Sequence, residues 1–141
     1  DLRLLLNDHV KNSDVILVFQ SRGFLTRPYC LLEMYTAVES GVPIVAVNVQ
    51  GSAPYDYAKA SAFLRFLDTE LDAANPGASD LLAENGVDIV DAAYKLSSVV
   101  PNIISIAFNP SGSRNNIRAA MLDIVRQRGD IICDEVTRIE K

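Results

Sequence analysis

Glu33 is the residue of this chain whose type and position best suit it to do chemistry. It lies early in a helical stretch, in the block Tyr29-Cys30-Leu31-Leu32-Glu33-Met34. A carboxylate near a helix N-terminus and an aromatic ring could bind a ribose or stabilise a developing cation. On a helical wheel Glu33 points in the same direction as Tyr29, Thr36 and Ser40, at the edge of the apolar side. The competing interpretation is a solvated glutamate in an ordinary helix.

Other candidate groups carry weaker signals. The segment NPSGSRNN, residues 109–116, offers backbone N–H groups and Arg114 at a helix start, which could hold an anion, although an ordinary capped turn explains it better. Cys30 could be a reactive thiol near a helix N-terminus, but its place on the apolar stripe favours a small buried hydrophobe. Tyr55 and Tyr57 could border a crevice, as loop tyrosines often do.

Several common reaction classes lack their motifs. There is no Gly-x-Gly-x-x-Gly, no P-loop, no Cys-x-x-Cys and, with a single His, no Ser-His-Asp set. Dehydrogenase, NTPase, zinc and triad-hydrolase functions are therefore unsupported.

The composition is that of a globular domain, with 49% hydrophobic and 22% charged residues. The net charge of −5 argues against a nucleic-acid surface and against tight binding to anionic lipid. The two cysteines lie too far apart to suggest a metal-ligand pair or a disulfide framework, which favours a reducing, cytoplasmic compartment. No apolar run is long enough to cross a bilayer, so no membrane insertion is expected.

Strands and helices alternate along the chain, which predicts right-handed βαβ units and a parallel sheet. Continuous apolar runs predict strands at residues 14–19, 43–49 and 102–108. Helical periodicity predicts helices at residues 2–11, 28–40, 56–73, 80–84, 88–98 and 114–127. Thr26 and Ser79 are the expected N-caps of two of them. Ligands of such sheets bind outside the carboxyl ends of the strands, so Glu33 is expected to face that crevice.

The segment from residue 13 to 49, SDVILVFQSRGFLTRPYCLLEMYTAVESGVPIVAVNV, resembles the central part of a TIR (Toll/interleukin-1 receptor) domain. The family pattern is a strand ending in Ser, a loop with an aromatic residue, Trp-Cys-x-x-Glu-Leu opening a helix, and Gly-x-x-Ile-x-Pro leading into the next strand. Here Ser21 follows the strand and Phe24 is the loop aromatic. Tyr29 to Met34 stand on the Trp-Cys block, and Gly41 matches the turn.

This resemblance implies a function. Enzymatic TIR domains cleave the nicotinamide–ribose bond of NAD⁺ with the helix glutamate, so it implies a catalytic role for Glu33. It also implies that Ser21, Phe24 and Tyr29 bind the nucleotide, with NAD⁺ as substrate and neither a further cofactor nor a metal. Tyr29 replaces the family's Trp and adds a hydroxyl that needs a partner. The expected partners are other TIR domains, bound by homotypic self-association in innate-immunity signalling.

The predicted fold class is α/β, a flavodoxin-like three-layer parallel sheet with helices on both faces. Residues 1–141 are expected to form one partial domain with a helical insert at about 50–101, and the first strands are expected upstream of Asp1. Two alternatives stay open: a non-enzymatic TIR scaffold, and a nucleoside deoxyribosyltransferase-like enzyme, which also has a Glu on a helix before a Gly-x-Pro-Ile strand. A response-regulator receiver is disfavoured because no strand ends in Asp.

Overall fold

The computed structural model describes residues 8–21, 23–49, 55–103, 105–109, 112–124 and 126. These residues form an α/β fold of the flavodoxin-like kind, in which a parallel sheet has helices on both faces. The predicted fold class is thus confirmed. Every helix among the described residues is too short or too polar to cross a membrane.

Among the described residues, three parallel strands form the sheet, in the order in which they occur in the chain. They are β1 (Ile16–Gln20), β2 (Ile44–Val49) and β3 (Ser105–Phe108). The ladder joins Ile16 to Ile44 and Ala46 to Ser105. The predicted first strand therefore begins two residues too early, because pairing starts only where the Ile16 N–H donates to the Pro43 carbonyl, at 2.9 Å.

The third strand is also shorter than predicted. A 3₁₀ turn at Val100–Asn102 contains Pro101 and precedes it. Proline has no N–H for a ladder and fixes a turn-compatible φ, so pairing begins after the turn.

The helices surround the sheet. Their bounds are α1 at residues 8–11, α2 (Pro28–Ser40), α3 (Tyr57–Arg65), α4 (Leu67–Ala74), α5 (Ala78–Glu84), α6 (Ile89–Val99) and α7 at residues 114–124. The first residues of the predicted N-terminal helix, 2–7, lie outside the described residues, as do those of the last helix beyond 126.

Helix α2 has the bounds that its sequence predicts. Pro28 occupies the first turn, where its missing N–H costs nothing. Gly41 ends the helix with φ 70°, and the next N–H, from Val42, donates to the Ala37 carbonyl at 2.9 Å. The predicted Thr26 cap is wrong, because the Thr26 hydroxyl donates to the Gly23 carbonyl at 2.6 Å and so stabilises the preceding 3₁₀ turn.

The helical segment after β2 differs from prediction at two points. The expected helix 56–73 is broken at Phe66, whose φ is −110° and ψ 33°, and the break lets α3 and α4 both pack on α6. Ser79 does not cap α5, because Gly77 holds that position with φ 86°. The Ser79 hydroxyl and N–H instead donate to the Asp72 carboxylate, which fastens α5 to the end of α4.

One buried cluster contains residues from all five helices from α2 through α6. It packs on one face of the sheet, where Val18 and Ile44 contact it. Helix α2 is covered on two sides, since α5 and α6 pack against it as well. Leu32 and Thr36 are therefore buried, although the helical wheel placed Thr36 at the edge of the apolar side. The buried Thr36 hydroxyl has a hydrogen-bond partner within the helix, because it donates to the Leu32 carbonyl at 2.8 Å.

The second face of the sheet carries Val45 and Val47. Both are fully buried, and neither belongs to that cluster. Ala120 of α7 is also buried and also lies outside the cluster. Side chains alternate along a strand, so Leu17 and Phe19 of β1 share this second face, and both are exposed.

Candidate functional site

The four residues predicted from the sequence differ in how far they are exposed to solvent. Glu33 and Tyr29 lie one turn apart on α2, and both are exposed. Ser21, just after β1, is half-buried, and Phe24 is buried in the core cluster. Tyr29 and Glu33 thus form a solvent-facing pair, while Phe24 has turned inward from the loop.

Glu33 has an electrostatic effect on its neighbour Cys30. Partial burial raises the pKa of the Cys30 thiol, the Glu33 carboxylate raises it further, and Arg27 partly opposes the shift. Cys30 packs at the margin of the core, so the prediction of a small buried hydrophobe is correct in direction. A thiol with a raised pKa is mostly protonated and a poor nucleophile near neutral pH.

Aromatic rings link the loop after β1 to the start of α3. The Phe24 and Tyr55 ring centroids are 5.5 Å apart, and the Tyr55 and Tyr57 centroids are 4.9 Å apart with the rings nearly perpendicular. Both arrangements fall within the range of favourable aromatic pairs. The two tyrosines therefore border the carboxyl-end side of the sheet, as the sequence suggested they could.

A hydrogen-bond network crosses all three strands beneath these rings. Gln20, the last residue of β1, is only 2% exposed. Its Oε1 accepts from the Ser105 hydroxyl at 2.5 Å and, weakly, from the Tyr57 hydroxyl at 3.5 Å. The Asn48 Nδ2 donates to the same Tyr57 hydroxyl at 2.5 Å. We refer to Gln20, Asn48, Tyr55, Tyr57 and Ser105 as the strand-end cluster.

Register explains why these side chains meet. Gln20 pairs with Asn48, and Asn48 is two residues beyond the Ala46 that pairs with Ser105. All three polar side chains therefore point to the face covered by α3. Gln20 is buried, and Asn48 and Ser105 are half-buried, so hydrogen bonds within the strand-end cluster lower the cost of burying these two amides and one hydroxyl.

A cavity of about 40 Å³ lies against the strand-end cluster, with Gln20, Tyr55, Tyr57 and Pro101 among its lining residues. That volume suits a water molecule or two and is too small for a nucleotide. Burial, and then the neighbouring Tyr57, raise the pKa of Tyr55 to about 12. The cluster thus places a small polar cavity near the carboxyl ends of β1 and β2, the side on which open α/β sheets take their ligands.

Sequence reasoning did not single out Gln20, Asn48 or Ser105. The available signal was a polar residue within or just after each apolar run: Gln20 after the first, Asn48 near the end of the second and Ser105 inside the third. That signal needs the register of the strands, which the sequence does not supply. No hydrogen bond or ring contact among the described residues connects the strand-end cluster to Glu33 or Tyr29.

A second polar network lies on the other side of α2. The Tyr35 hydroxyl donates to Asp91 at 2.5 Å, and Lys95 pairs with Asp91 at 3.0 Å and with Glu39. Burial, followed by Asp91, raises the pKa of Tyr35 to about 12. A groove of about 280 Å³ lies beside this network. Helix α2 forms one wall, and Lys11 together with the turn after α5 forms the other. These contacts fasten α6 to α2.

The turn before α7 is capped. The Ser113 hydroxyl accepts from the Asn116 N–H at 3.2 Å, and the Arg114 side chain is exposed. The capped-turn interpretation accounts for these contacts. Among the described residues, no group of three or more His, Cys, Asp or Glu side chains is placed to hold a metal ion.

A scan against protein-family models found no matching family. Searches of curated proteins and of solved structures also found no significant match.

Proposed function

We propose that this chain is an intracellular signalling domain of the TIR type that acts by self-association. The proposal combines the sequence resemblance at residues 13–49 with an α/β fold in which that segment forms β1, α2 and β2. The assignment to the family rests on the residues quoted above, with Tyr29 and Glu33 at the start of the same helix.

The observation that carries self-association is the uncovered apolar face of β1. Leu17 and Phe19 alternate along this strand, and Phe19 is 56% exposed. Within the described residues β1 lies at the edge of the sheet, paired only with β2. An edge strand with exposed apolar side chains is a surface on which another chain can dock. A second copy is the occupant that the proposed function requires.

Sedimentation velocity over a range of protein concentrations tests this proposal. We expect Phe19→Asp to shift the distribution toward monomer. Phe66→Asp is the matched control, because Phe66 is 54% exposed but lies between α3 and α4. A wild-type chain that stays monomeric at every concentration would refute self-association, and equal dissociation by both variants would refute the role of β1.

NAD⁺ cleavage at Glu33 is the second candidate function. It is favoured by the exposure of Glu33 and Tyr29 on adjacent turns, which leaves both accessible to a ligand. In the proposed reaction the bond from ribose to nicotinamide breaks and its electron pair leaves with neutral nicotinamide. The Glu33 carboxylate stabilises the resulting ribosyl cation, and water adds to it to give ADP-ribose and a proton.

Measuring nicotinamide release by the full-length protein tests this second candidate. Glu33→Gln keeps the size of the side chain and removes its charge, so we expect activity to fall by about a hundredfold or more. Glu70→Gln, at an exposed position on α4, is the control. Absence of NAD⁺ consumption at every protein concentration would leave a non-enzymatic scaffold. Base exchange between deoxynucleosides would instead select a deoxyribosyltransferase.

A further inference from the structure

Charge is segregated along the chain. Between Arg65 and Lys95 there are seven acidic residues and no lysine or arginine. Between Lys95 and Asp123 there is no acidic residue, while α7 carries arginines. The net charge of −5 is therefore unevenly distributed, and the first of these segments is more acidic than the total suggests.

Helix α5 presents acidic side chains to solvent. Asp80 and Glu84 are both exposed and lie four residues apart, so they are neighbours on one side of the helix. The exposed Ala83 lies beside them. Like charges at this spacing repel each other, and neither residue forms an ion pair with another described residue. A cationic surface placed against Asp80 and Glu84 would be attracted to both carboxylates and would offset the repulsion between them.

Helix α7 has the opposite character. Arg114 and Arg118 are exposed, four residues apart, and form no ion pair with another described residue. Met121 and Leu122 are exposed on the following turn, and Ala120 is buried. The outer side of α7 thus combines a pair of arginines with two uncovered apolar side chains, which is typical of a docking helix.

The two surfaces match in charge and in spacing. Each has a pair of like charges one helical turn apart, so Arg114 and Arg118 can meet Asp80 and Glu84 at the same time. The surfaces belong to different parts of the described structure, because α5 packs in the core cluster and Ala120 of α7 is buried but is not a member of that cluster. Among the described residues, no ion pair joins the two surfaces within one chain.

We propose that α7 of one copy docks on α5 of a second copy, with Arg114 and Arg118 against Asp80 and Glu84 and with Met121 and Leu122 packed beside them. This inference deepens the proposed function and rests on its self-association. Because the contact joins two different surfaces, it leaves one of each free and repeats from copy to copy, which builds a head-to-tail assembly larger than a dimer. This contact is separate from the β1 face.

Charge reversal and its rescue test the contact in the full chain. The first variant carries Arg114→Glu and Arg118→Glu, and the second carries Asp80→Lys and Glu84→Lys. We expect each variant alone to weaken association by more than about tenfold, because like charges then face each other. Mixed in equal amounts, the two variants should assemble again, since the acidic α7 of one now faces the basic α5 of the other.

A matched control carries Lys59→Glu and Arg65→Glu, which change the net charge as the first variant does but lie on exposed positions of α3. Sedimentation velocity should show its assembly nearly unchanged at moderate salt. Wild-type particles should grow beyond dimers with concentration and shrink as salt rises.

The outcomes separate the two proposals. A wild-type chain that remains monomeric overturns self-association and this contact together. Wild-type assembly that Phe19→Asp disrupts but neither reversal weakens overturns only this contact. Failure of the mixture to assemble also overturns it, as does a closed dimer that does not grow with concentration. Assembly lost equally in the α3 control would show that net charge, rather than α7 and α5, controls association.

Discussion

Replacing Gln20 with Leu tests whether the strand-end cluster stabilises the end of the sheet through its hydrogen bonds. The change keeps a side chain of similar size but removes the oxygen that accepts from Ser105 and Tyr57. Gln20 is buried at the end of β1, so water cannot easily replace that oxygen.

The expected cost follows from what each donor loses. A net intramolecular hydrogen bond contributes about 1 kcal/mol, and a buried donor left without an acceptor costs about 1–3 kcal/mol. The half-buried Ser105 hydroxyl loses its acceptor, while the exposed Tyr57 hydroxyl can turn to water. We therefore expect Gln20→Leu to lower the free energy of unfolding by about 2 kcal/mol, Ser105→Ala by about 1 kcal/mol and Tyr57→Phe by less than about 1 kcal/mol.

Urea unfolding of the two single variants and of the Gln20→Leu, Ser105→Ala double variant measures the coupling directly. If the two side chains bond as described, the double variant should be more stable than additivity predicts, by about 1 kcal/mol. Additivity within about 0.3 kcal/mol would refute the hydrogen bond between Gln20 and Ser105. An equal cost for Gln20→Leu and Tyr57→Phe would refute the argument that burial sets the cost.

Three further predictions concern the core, the tyrosines and the thiol. Leu96→Ala, at a fully buried position of α6, should lower the free energy of unfolding by about 2–5 kcal/mol in a urea titration, and a smaller loss would mean that α6 packs loosely. The raised pKa values of Tyr35 and Tyr55 mean that the folded state holds protons that the unfolded state releases, so the contribution of these two tyrosines to stability should be constant below about pH 10 and be lost between pH 10 and 12. Thermal unfolding across that range checks this, and Tyr35→Phe should reduce the loss. With the other cysteine replaced by serine, Cys30 should react slowly with iodoacetamide at pH 8, and Glu33→Gln should speed the reaction; an unchanged rate would place the Glu33 charge too far away to act on the thiol.

The sequence predicted the order of strands and helices well, because apolar runs and helix-stop residues are local signals. Helix α2 begins at Pro28, as expected from its missing N–H, and ends before Gly41, as expected from the preference of glycine for positive φ. The break at Phe66 was not predictable, since residues 60, 64, 67 and 71 keep one apolar stripe through it. That break depends on both halves packing against α6, which is tertiary information.

The candidate site was less predictable than the fold, for the same reason. The burial of Thr36 follows from α5 and α6 covering a second side of α2, and the wheel assumed a single covered side. Gln20 and Ser105 lie 85 residues apart, and only the register of the sheet brings them together. Glu33 was identified by resemblance, and its exposure depends on which surfaces cover the start of α2.

The exposure of Glu33 determines how NAD⁺ cleavage could work if the second candidate function is correct. At about 4 Å, a carboxylate stabilises a positive charge by about 1 kcal/mol in bulk water and by about 4 kcal/mol at an effective dielectric constant of about 20. The first value accelerates a reaction by less than about tenfold and the second by several hundredfold. Glu33 therefore becomes an effective catalyst only when another surface excludes water from the start of α2. An assembly of copies that supplies this surface should make specific activity rise with protein concentration. An activity per molecule that stays constant while the copies associate would contradict this reasoning.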